Sequence, residues 1–488
     1  MLDTAVAQMK VALSIATGRR LNIRALNRLL DGMLATSLEF GTIGPEGGQA
    51  LGGPPLDDDV RQKVALRRFR SVAKRAAERT RYYSRLFAEQ KLDPATMSWD
   101  DVHRLPVTGR DALREEPDSF VCAGSRPVMR AVTTGTTGPP IGVWYSEYEL
   151  AALTGATANH VLLRRLIRPG DVVHMCISSR AHLPIVTISG TCFRIGAVVQ
   201  LIGLVDPALA LAQLAERRAT VLDVYPSYFG ELVEHGLRVG YRPADFRLER
   251  VIIGGEIVTA GLLARAERLF GAVEFIENYA STEMVPCGGT PCAQGHLHFE
   301  FSAGHHEVVA LDGSGQAADG EPGSLVETPF PPYRETTLLL RYDTEDVVAP
   351  LSGPFGCEFR NLPATSHVLG KRRLAVRHDD GWVFQRGVME ALEGCDAVPL
   401  PARYGYRPAG RGIALEVLVR DDDSGVGRAV RDRLAAHGVP VEELTLVTDR
   451  ARLSEPIPVR SDLREASFVP PEPAVSRRPA LVASNNGR

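Results

Sequence analysis

Apolar residues recur along the middle of the chain in short runs, and amphipathic segments with a helical period separate these runs. The runs at 172–176, 197–201 and 251–253 predict buried strands, and the segments at 206–218 and 260–269 predict helices. Strand–helix alternation of this kind is typical of a largely parallel sheet covered by helices. The middle of the chain is therefore predicted to form α/β layers.

The pattern changes on either side of this block. Residues 58–90 predict one long, arginine-rich amphipathic helix, and we interpret its basic face as a solvated surface because glutamates interrupt it. From 297 to 348, hairpin-like strands with Asp-Gly and Pro-Gly turns predict a β-rich subdomain. Between 413 and 447 a strand, a helix and a second strand predict a small α+β lobe.

The predicted fold class is α/β: a large N-terminal domain of layered α/β subdomains plus a β-rich subdomain, followed by a small C-terminal α+β domain. A length of 488 residues supports more than one domain. The predicted boundaries are 1–57 for an N-terminal helical extension and linker, 58–369 for the large domain, 370–466 for the small domain and 467–488 for a disordered tail.

Composition excludes several classes of protein. A net charge of −3 gives no electrostatic reason to expect a nucleic acid or a membrane as partner. No apolar run approaches the roughly 20 residues that span a bilayer. The seven cysteines are odd in number and scattered, unlike a secreted disulfide framework, so we predict a reduced, cytoplasmic setting. The sequence does not decide whether the chain forms a homodimer.

The segment densest in hydroxyls and glycines follows an apolar residue near position 132. Its backbone N–H groups and threonine hydroxyls could turn toward phosphate oxygens. No Gly-Lys-Ser/Thr closes it, so taken alone it is as compatible with a polar turn as with a phosphate cradle. Its members are Thr133, Thr134, Gly135, Thr136, Thr137, Gly138, Pro139 and Pro140.

Three later segments follow it in a fixed order. They are Gly254-Gly255-Glu256, then Asn278-Tyr279-Ala280-Ser281-Thr282-Glu283, then Tyr342-Asp343-Thr344-Glu345-Asp346. Together with the hydroxyl-rich segment they resemble the motifs of the acyl-adenylate-forming superfamily, and specifically its phenylacetate–CoA ligase branch. The resemblance covers roughly residues 68–464 and leaves the first part of the chain and the tail unexplained.

The resemblance implies a site for ATP or AMP and Mg²⁺. The hydroxyl-rich segment would hold phosphates, Thr282 would contact a phosphate, and Glu283 would bind Mg²⁺, for which a carboxylate is the expected ligand. Tyr279 would stack near the adenine and Asp346 would grip the ribose. The other nucleotide-binding residues implied are Gly254, Gly255, Glu256, Asn278 and Lys371, and those implied for the acid are Tyr225, Ser227, Tyr228 and Ala280.

Two departures from the family concern the chemistry. Pro139 stands where the phosphate loop usually has a lysine, and Pro456-Ile457 stands where a Gly-Lys supplies the adenylation lysine. No lysine follows Lys371. Losing one preorganised donor lowers a rate by roughly 10²–10³-fold. Arg460 is the predicted catalytic substitute, with Arg464 as the alternative. The hinge motif is also replaced, by Gly370-Lys371-Arg372-Arg373.

A short cysteine- and histidine-rich segment predicts a structural zinc site. Cys287, Cys292, His296 and His298 crowd this segment, and Cys357 follows downstream. Thiolates and imidazoles suit tetrahedral zinc. Some relatives carry a comparable set, and Cys292, His298 and Cys357 resemble three of its ligands. Cys287 would replace the ligand that is missing here, so the predicted set is Cys287, Cys292, His298 and Cys357. Ordinary buried thiols and exposed histidines remain the alternative.

The leading functional hypothesis is an AMP-forming ligase that activates a small, aromatic carboxylic acid and passes the acyl group to CoA, a carrier protein or an amine. A second hypothesis is an acyltransferase or condensing enzyme that uses a pre-activated acyl group, which the missing lysine favours. A third is a non-catalytic nucleotide-binding homologue.

Overall fold

The computed structural model describes residues 2–40, 57–133, 140–379 and 381–464. The helices in these ranges are α1 (Leu2–Thr17), α2 (Ile23–Phe40), α3 (Asp58–Arg79), α4 (Arg81–Gln90), α5 (Trp99–Arg104), α6 (Arg110–Glu115), α7 (Glu147–Leu163), α8 (His182–Ile195), α9 (Pro207–Glu216), α10 (Pro226–Val239), α11 (Ala260–Phe270), α12 (Gln385–Glu393) and α13 (Val426–Ala436).

The strands in the same ranges are β1 (Pro127–Val132), β2 (Gly142–Ser146), β3 (Val172–Cys176), β4 (Val198–Leu201), β5 (Val221–Val224), β6 (Arg250–Gly254), β7 (Glu274–Ala280), β8 (Gly288–Pro291), β9 (His296–Phe299), β10 (Gly304–Ala310), β11 (Gly323–Pro329), β12 (Tyr342–Val348), β13 (Pro350–Leu351), β14 (Ala364–Ser366), β15 (Gly370–Lys371), β16 (Val376–His378), β17 (Gly381–Val383), β18 (Tyr404–Ala409), β19 (Gly412–Leu418) and β20 (Val441–Val447).

The largest sheet is the scaffold of the molecule. Its order is β13-β14-β9-β8-β7-β6-β5-β3-β4, with β4, β3, β5, β6 and β7 parallel. Val221 packs on one face, in a cluster with Val161 of α7 and Ile195 of α8. Leu222 packs on the other face, against Leu232 of α10. The α/β layers predicted from the apolar runs are confirmed.

The long helix predicted over 58–90 is interrupted at Thr80. This residue has a β-region backbone (φ −122°) and ends α3, with its N–H bonded to the Ala76 carbonyl. Its hydroxyl then caps α4 by accepting from the Tyr83 N–H at 3.3 Å. A threonine in this role satisfies an N–H group that the start of α4 leaves without a helical partner.

The two N-terminal helices pack against the large domain. Leu30 of α2 lies in one cluster with Ala158 and Val161 of α7. Arg20, in the turn between α1 and α2, pairs with Glu335 at 2.7 Å. The linker predicted before 57 falls largely on residues 41–56, outside the described ranges.

The remaining sheets match the predicted β-rich subdomain and small α+β lobe. Strands β10, β11, β12 and β15 form an antiparallel sheet, and β18, β19 and β20 form another sheet beside α12 and α13. The lobe has its own core, which includes Val388, Leu415 and Leu434. The domain boundaries remain predictions, and the predicted tail lies outside the described residues. No helix in the described part of the chain is long and apolar enough to cross a bilayer.

Candidate functional site

The predicted site residues gather where β5, β6 and β7 end. Tyr225 follows β5, Gly254 ends β6, and Asn278 and Ala280 end β7. Ligands of parallel α/β sheets bind at this carboxyl edge. Asn278 and Ala280 are exposed although β7 is an interior strand, so the sheet is left uncovered here.

Close approach explains both glycines of the Gly254-Gly255 pair. A Cβ atom at 254 would lie 2.4 Å from Oδ1 of Asn278, so the Asn278 side chain occupies that space. Gly255 has φ +86°, a left-handed conformation that favours glycine. A Cβ atom at 255 would lie 3.3 Å from the Arg460 guanidinium carbon.

Glu283 lies near this edge, and polar groups surround its buried carboxylate. Its Oε1 accepts a hydrogen bond from the Tyr342 hydroxyl at 3.0 Å and lies 3.5 Å from the Arg110 guanidinium. Burial and the Glu283 charge raise the pKa of Tyr342, so its hydroxyl stays protonated and can donate. The backbone carbonyl of the preceding residue, Thr282, accepts from the Tyr145 hydroxyl at 2.5 Å. Glu283 is thus held as an oriented acceptor.

A second carboxylate stands nearby, joined to two predicted nucleotide residues. The Tyr279 hydroxyl donates to Asp346 at 2.9 Å, and the Lys371 ammonium lies 3.0 Å from the same carboxylate. Lys371 also donates to the Thr344 carbonyl at 3.0 Å. The three residues named from different motifs therefore form one hydrogen-bonded group.

Arg460 belongs to the C-terminal segment, and its side chain lies at this edge of the sheet. Its guanidinium lies over the Tyr225 ring, 4.7 Å from the centroid. Its backbone N–H donates to Glu256 at 2.6 Å, and the other Glu256 oxygen accepts from the Ser227 N–H at 3.0 Å. Glu256 thus ties the segment that carries Arg460 to the start of α10.

Ile457 occupies the position expected for the adenylation lysine, and it lies farther from the site than Arg460 does. Ile457 bonds through its N–H to the Tyr404 carbonyl at 2.9 Å and packs against the core of the small lobe. Arg464, the other predicted substitute, pairs with Glu231 instead and is partly exposed. Of the two arginines, Arg460 therefore lies beside the Gly254-Gly255 pair, and its catalytic role stays a prediction.

The residues predicted for the acid divide into two groups. Tyr225 borders the edge, with a buried hydroxyl that has no hydrogen-bond partner among the described residues. Ala280 is exposed at the end of β7. Tyr228 is instead a core residue whose hydroxyl donates to the Val205 carbonyl at 2.7 Å, and the Ser227 hydroxyl accepts from the Ser461 N–H at 3.0 Å. These two side chains hold the fold around the edge.

The predicted phosphate segment lies almost entirely outside the described residues. Of its members, Thr133 and Pro140 are described. The Thr133 N–H donates to the Ile141 carbonyl at 2.9 Å, and the Thr133 hydroxyl accepts from the Ile141 N–H at 2.9 Å. Those two bonds hold the start of the segment. Thr134, Gly135, Thr136, Thr137 and Gly138 are outside the described ranges, and their role stays a prediction.

The sequence analysis missed Arg110. Its guanidinium lies 3.5 Å from Glu283 and 3.7 Å from Glu345, and only 13% of its side chain is exposed. Burial alone would lower its pKa, but Glu283 and Tyr342 raise it, so Arg110 stays cationic. A lone arginine at the start of α6 carries no spacing signal, because its partner is 173 positions later in the chain.

Glu327 was also missed. It lies opposite Tyr342 in the β11–β12 pair, so both side chains share one face. The Glu327 carboxyl is fully buried, and neither oxygen has a hydrogen-bond partner among the described residues. Burial, together with the charges of Asp346 and Glu283, raises the pKa of Glu327 well above its usual value. In the sequence, Glu327 looks like an ordinary polar residue of a strand, so no local pattern identifies it.

We expect Glu327→Leu to stabilise the fold above the ordinary pKa of glutamate. The folded-state pKa of Glu327 is raised, so its carboxyl adds no pH-dependent cost while it is protonated in both states. As pH rises above the unfolded-state pKa, it destabilises the fold increasingly. Removing an unsatisfied buried polar group should gain about 1–3 kcal/mol at pH 8. Urea unfolding at pH 4.5 and 8 measures this, with exposed Glu115→Leu as the control. An equal or lower stability of Glu327→Leu at pH 8 contradicts the expectation.

Cys292, His296, His298 and Cys357 form a compact ligand cluster. Each offers one ligand atom, and the four atoms lie within 4.8 Å of one another. Nε2 of His298 lies 3.2 Å from the Cys357 sulfur, while Nδ1 faces the Leu362 carbonyl at 3.5 Å. A second ring nitrogen directed at a carbonyl is typical of histidines that bind metal. Two thiols and two imidazoles suit tetrahedral zinc.

This cluster corrects the predicted ligand set. Cys287 does not belong to it: its sulfur faces the Ala303 carbonyl at 3.5 Å, within a different core cluster from Cys292 and Cys357. His296 takes the fourth place. It precedes His298 by two residues on β9, so both imidazoles project from one face. The two-residue spacing of the histidines could have identified His296 as a ligand from the sequence.

The chain is similar in sequence to known proteins. The family model "AMP-binding enzyme" matches residues 63–326. A phenylacetate-coenzyme A ligase of Thermus thermophilus is 27% identical over 305 residues, which are 60% of this chain and 67% of that protein.

Solved structures show the same fold. A 2-hydroxyisobutyryl-CoA ligase in the postadenylation state, bound to 2-HIB-AMP, superposes with a TM-score of 0.69 at 19% identity, covering 80% of this chain and 87% of that chain. An anthranilate CoA ligase bound to anthranoyl-AMP superposes with a TM-score of 0.52 at 14% identity, covering 70% of this chain and 67% of that chain.

Proposed function

Because the chain belongs to the AMP-binding enzyme family, we propose that it uses ATP and Mg²⁺ to convert a small carboxylic acid to an acyl-adenylate and then passes the acyl group to CoA. A phenylacetate ligase among its relatives favours an aromatic acid and a CoA acceptor. A carrier protein and an amine are the other acceptors to be tested. The reduced, buried cysteines fit a cytoplasmic enzyme.

The observation that carries this proposal is the position of Arg460. A ligase that lacks the usual lysine needs another cation near the reacting carboxylate and α-phosphate. Arg460 lies over Tyr225, and its guanidinium carbon is 3.3 Å from the space a side chain at Gly255 would fill. The Arg460 side chain is only partly buried, so part of it remains accessible at this edge.

The reaction assigned to this site has two steps. A carboxylate oxygen of the acid attacks the α-phosphorus of ATP, and the bond to the bridging oxygen breaks to release pyrophosphate. The thiol sulfur of CoA then attacks the acyl carbon, and AMP leaves with the pair of electrons while the thiol loses its proton. Arg460 would neutralise charge on the α-phosphate, and Asp346 would accept hydrogen bonds from the ribose.

The residues around Glu283 fit a magnesium ion. One oxygen is engaged by Tyr342, and no hydrogen bond reaches the other from the described residues. A carboxylate with a free oxygen suits Mg²⁺, which is usually held by one or two carboxylates and substrate phosphates. The ion would supply positive charge that offsets the charge of the triphosphate, beside the cation of Arg110.

Acid-dependent exchange of labelled pyrophosphate into ATP tests the proposal. We expect exchange with at least one acid from a panel of aromatic and aliphatic acids. ATP binding without exchange for every acid would contradict it and support the acyltransferase or the non-catalytic alternative. Acyl transfer from synthetic acyl-CoA would then distinguish those two.

We further propose that the cysteine–histidine cluster binds one structural zinc ion. The four ligand atoms are already gathered, and their residues join the turn before β9 to the segment before β14. Zinc bound by such a cluster contributes directly to folding free energy. The ion would stabilise this end of the large sheet and take no part in the reaction.

Elemental analysis of the purified protein should find one zinc per chain. His296→Ala and Cys292→Ser should each lose the metal and unfold at a lower temperature, because one of four ligands is gone. Cys287→Ala is the matched control and should retain the metal. Zinc far below one per chain in the wild type, or full zinc in His296→Ala, would contradict the assignment.

A further inference from the structure

A buried acid that the proposed chemistry does not use lies in the parallel sheet. Asp223 is near the carboxyl end of β5, two residues before Tyr225. In the sheet it stands beside Met175 of β3 and Ile252 of β6, both buried. By strand alternation it shares a face with Val221, the face covered by α7 and α8. An acid is therefore placed in an apolar layer.

Nothing in the described residues compensates the Asp223 carboxylate. Within the described ranges no hydrogen bond reaches it and no cation pairs with it, and burial is the single cause that raises its pKa, to about 7. The titratable groups that feel its charge are the thiols of Cys176 and Cys192 and the Tyr225 hydroxyl. None of these is a cation at neutral pH.

A structural acid in the same sheet looks different. Asp171, just before β3 at the opposite end of the strands, accepts from Arg250 at 2.8 Å and from the Thr220 hydroxyl at 2.8 Å. It also accepts from the Arg168 N–H at 2.6 Å. Buried acids are ordinarily satisfied in this way, because an unpaired buried charge is costly. Asp223 lacks every such contact.

The sheet face that carries Asp223 continues to the carboxyl edge of the strands, where the predicted site residues lie. Further along this face Gly254 ends β6, and the exposed residues Asn278 and Ala280 end β7. The Asn278 side chain fills the space beside Gly254, and the exposed end of β7 leaves this part of the sheet uncovered. Asp223 itself keeps some accessible surface although protein surrounds it. Its carboxylate thus borders the space assigned to the acid.

We propose that Asp223 recognises an amino group on the substrate, so that the acid is a small amino-substituted carboxylic acid. The inference rests on the proposed function and names its substrate class. An amino group supplies N–H donors for both carboxylate oxygens and, where protonated, the missing positive charge. The apolar neighbours Met175 and Ile252 fit the hydrocarbon part of the same ligand.

Calorimetry with matched acids tests the proposal without requiring turnover. The three aminobenzoic acids and the three methylbenzoic acids, equal in size but without the donor, are titrated into protein saturated with a non-hydrolysable ATP analogue and Mg²⁺. We expect one aminobenzoic acid to bind ~10- to 100-fold more tightly than its methyl counterpart, the range of a hydrogen bond to a charged group. In Asp223→Leu that preference should vanish and the methyl acid should gain affinity.

Three other outcomes overturn the inference. If the methylbenzoic acids bind the wild type as tightly as the aminobenzoic acids do, Asp223 does not recognise an amino group, and the proposed function is unaffected. A preference that persists in Asp223→Leu would assign it to another residue. If no acid of either series binds, the inference fails, and pyrophosphate exchange with the wider panel of acids decides the proposed function separately. Asp223→Asn, of equal size, provides a folded comparison and should keep at most a reduced preference.

Discussion

Glu283→Gln is expected to lower acid-dependent pyrophosphate exchange by ~10²–10³-fold, the effect of removing one preorganised electrostatic contact. The amide keeps the size of the side chain and can still accept from Tyr342. It lacks the negative charge that would hold Mg²⁺, and it leaves the buried Arg110 guanidinium without its nearest carboxylate. The loss should therefore appear in Mg²⁺-dependent ATP affinity as well as in rate.

Glu345→Gln is the matched control for this prediction. Glu345 lies 3.7 Å from the same arginine, and 26% of its side chain is exposed. The identical chemical change at 345 should alter exchange by less than about threefold, since exposed charge pairs contribute about 0–1 kcal/mol. Unchanged Mg²⁺-dependent ATP affinity in Glu283→Gln would remove Glu283 from the site.

Arg460→Ala should lower exchange by a similar ~10²–10³-fold while ATP affinity changes little. The physical reason is that Arg460, near Tyr225 and Gly255, is proposed to act on charge that develops on the α-phosphate during the reaction. The predicted ribose and metal residues, which would hold the nucleotide before the reaction, lie on other elements. A cation that acts on developing charge affects the rate of adenylation more than nucleotide binding. Exchange rates and calorimetric ATP titrations separate the two quantities.

Two variants make this second prediction specific. Arg464→Ala removes an arginine four residues later that pairs with Glu231, and it should leave exchange near the wild-type rate. Arg460→Lys keeps the charge but not the planar guanidinium, so it should recover part of the lost rate. An Arg460→Ala protein that exchanges at the wild-type rate would show that adenylation does not depend on this cation.

The sequence predicted those parts of the site that lie in continuous motifs. Tyr279, Glu283 and Asp346 could be named because residue type and order within short segments identify them. The structure then joins Tyr279 to Asp346 by a hydrogen bond and places Lys371 on the same carboxylate, while Glu283 bonds to Tyr342. The parallel sheet was predictable for a similar reason, since buried strands such as β3 and β6 are continuous apolar runs.

Residues that depend on long-range packing could not be predicted in this way. Arg110, Asp223 and Glu327 each stand alone in sequence, and their importance comes from what surrounds them in the fold. Asp171 has several donors, whereas Asp223 has none among the described residues, and no local pattern reveals this difference. Cys287 was assigned to the metal because it was close in sequence, whereas strand geometry places His296 there.

The most direct test follows oxygen atoms from the acid. The acid that supports the fastest exchange is labelled with ¹⁸O in its carboxylate and incubated with the enzyme, ATP, Mg²⁺ and CoA, and the AMP is analysed by mass spectrometry. Attack of the carboxylate on the α-phosphorus predicts one ¹⁸O atom in each AMP formed. AMP without ¹⁸O, or no AMP with any acid, would contradict adenylation at this site.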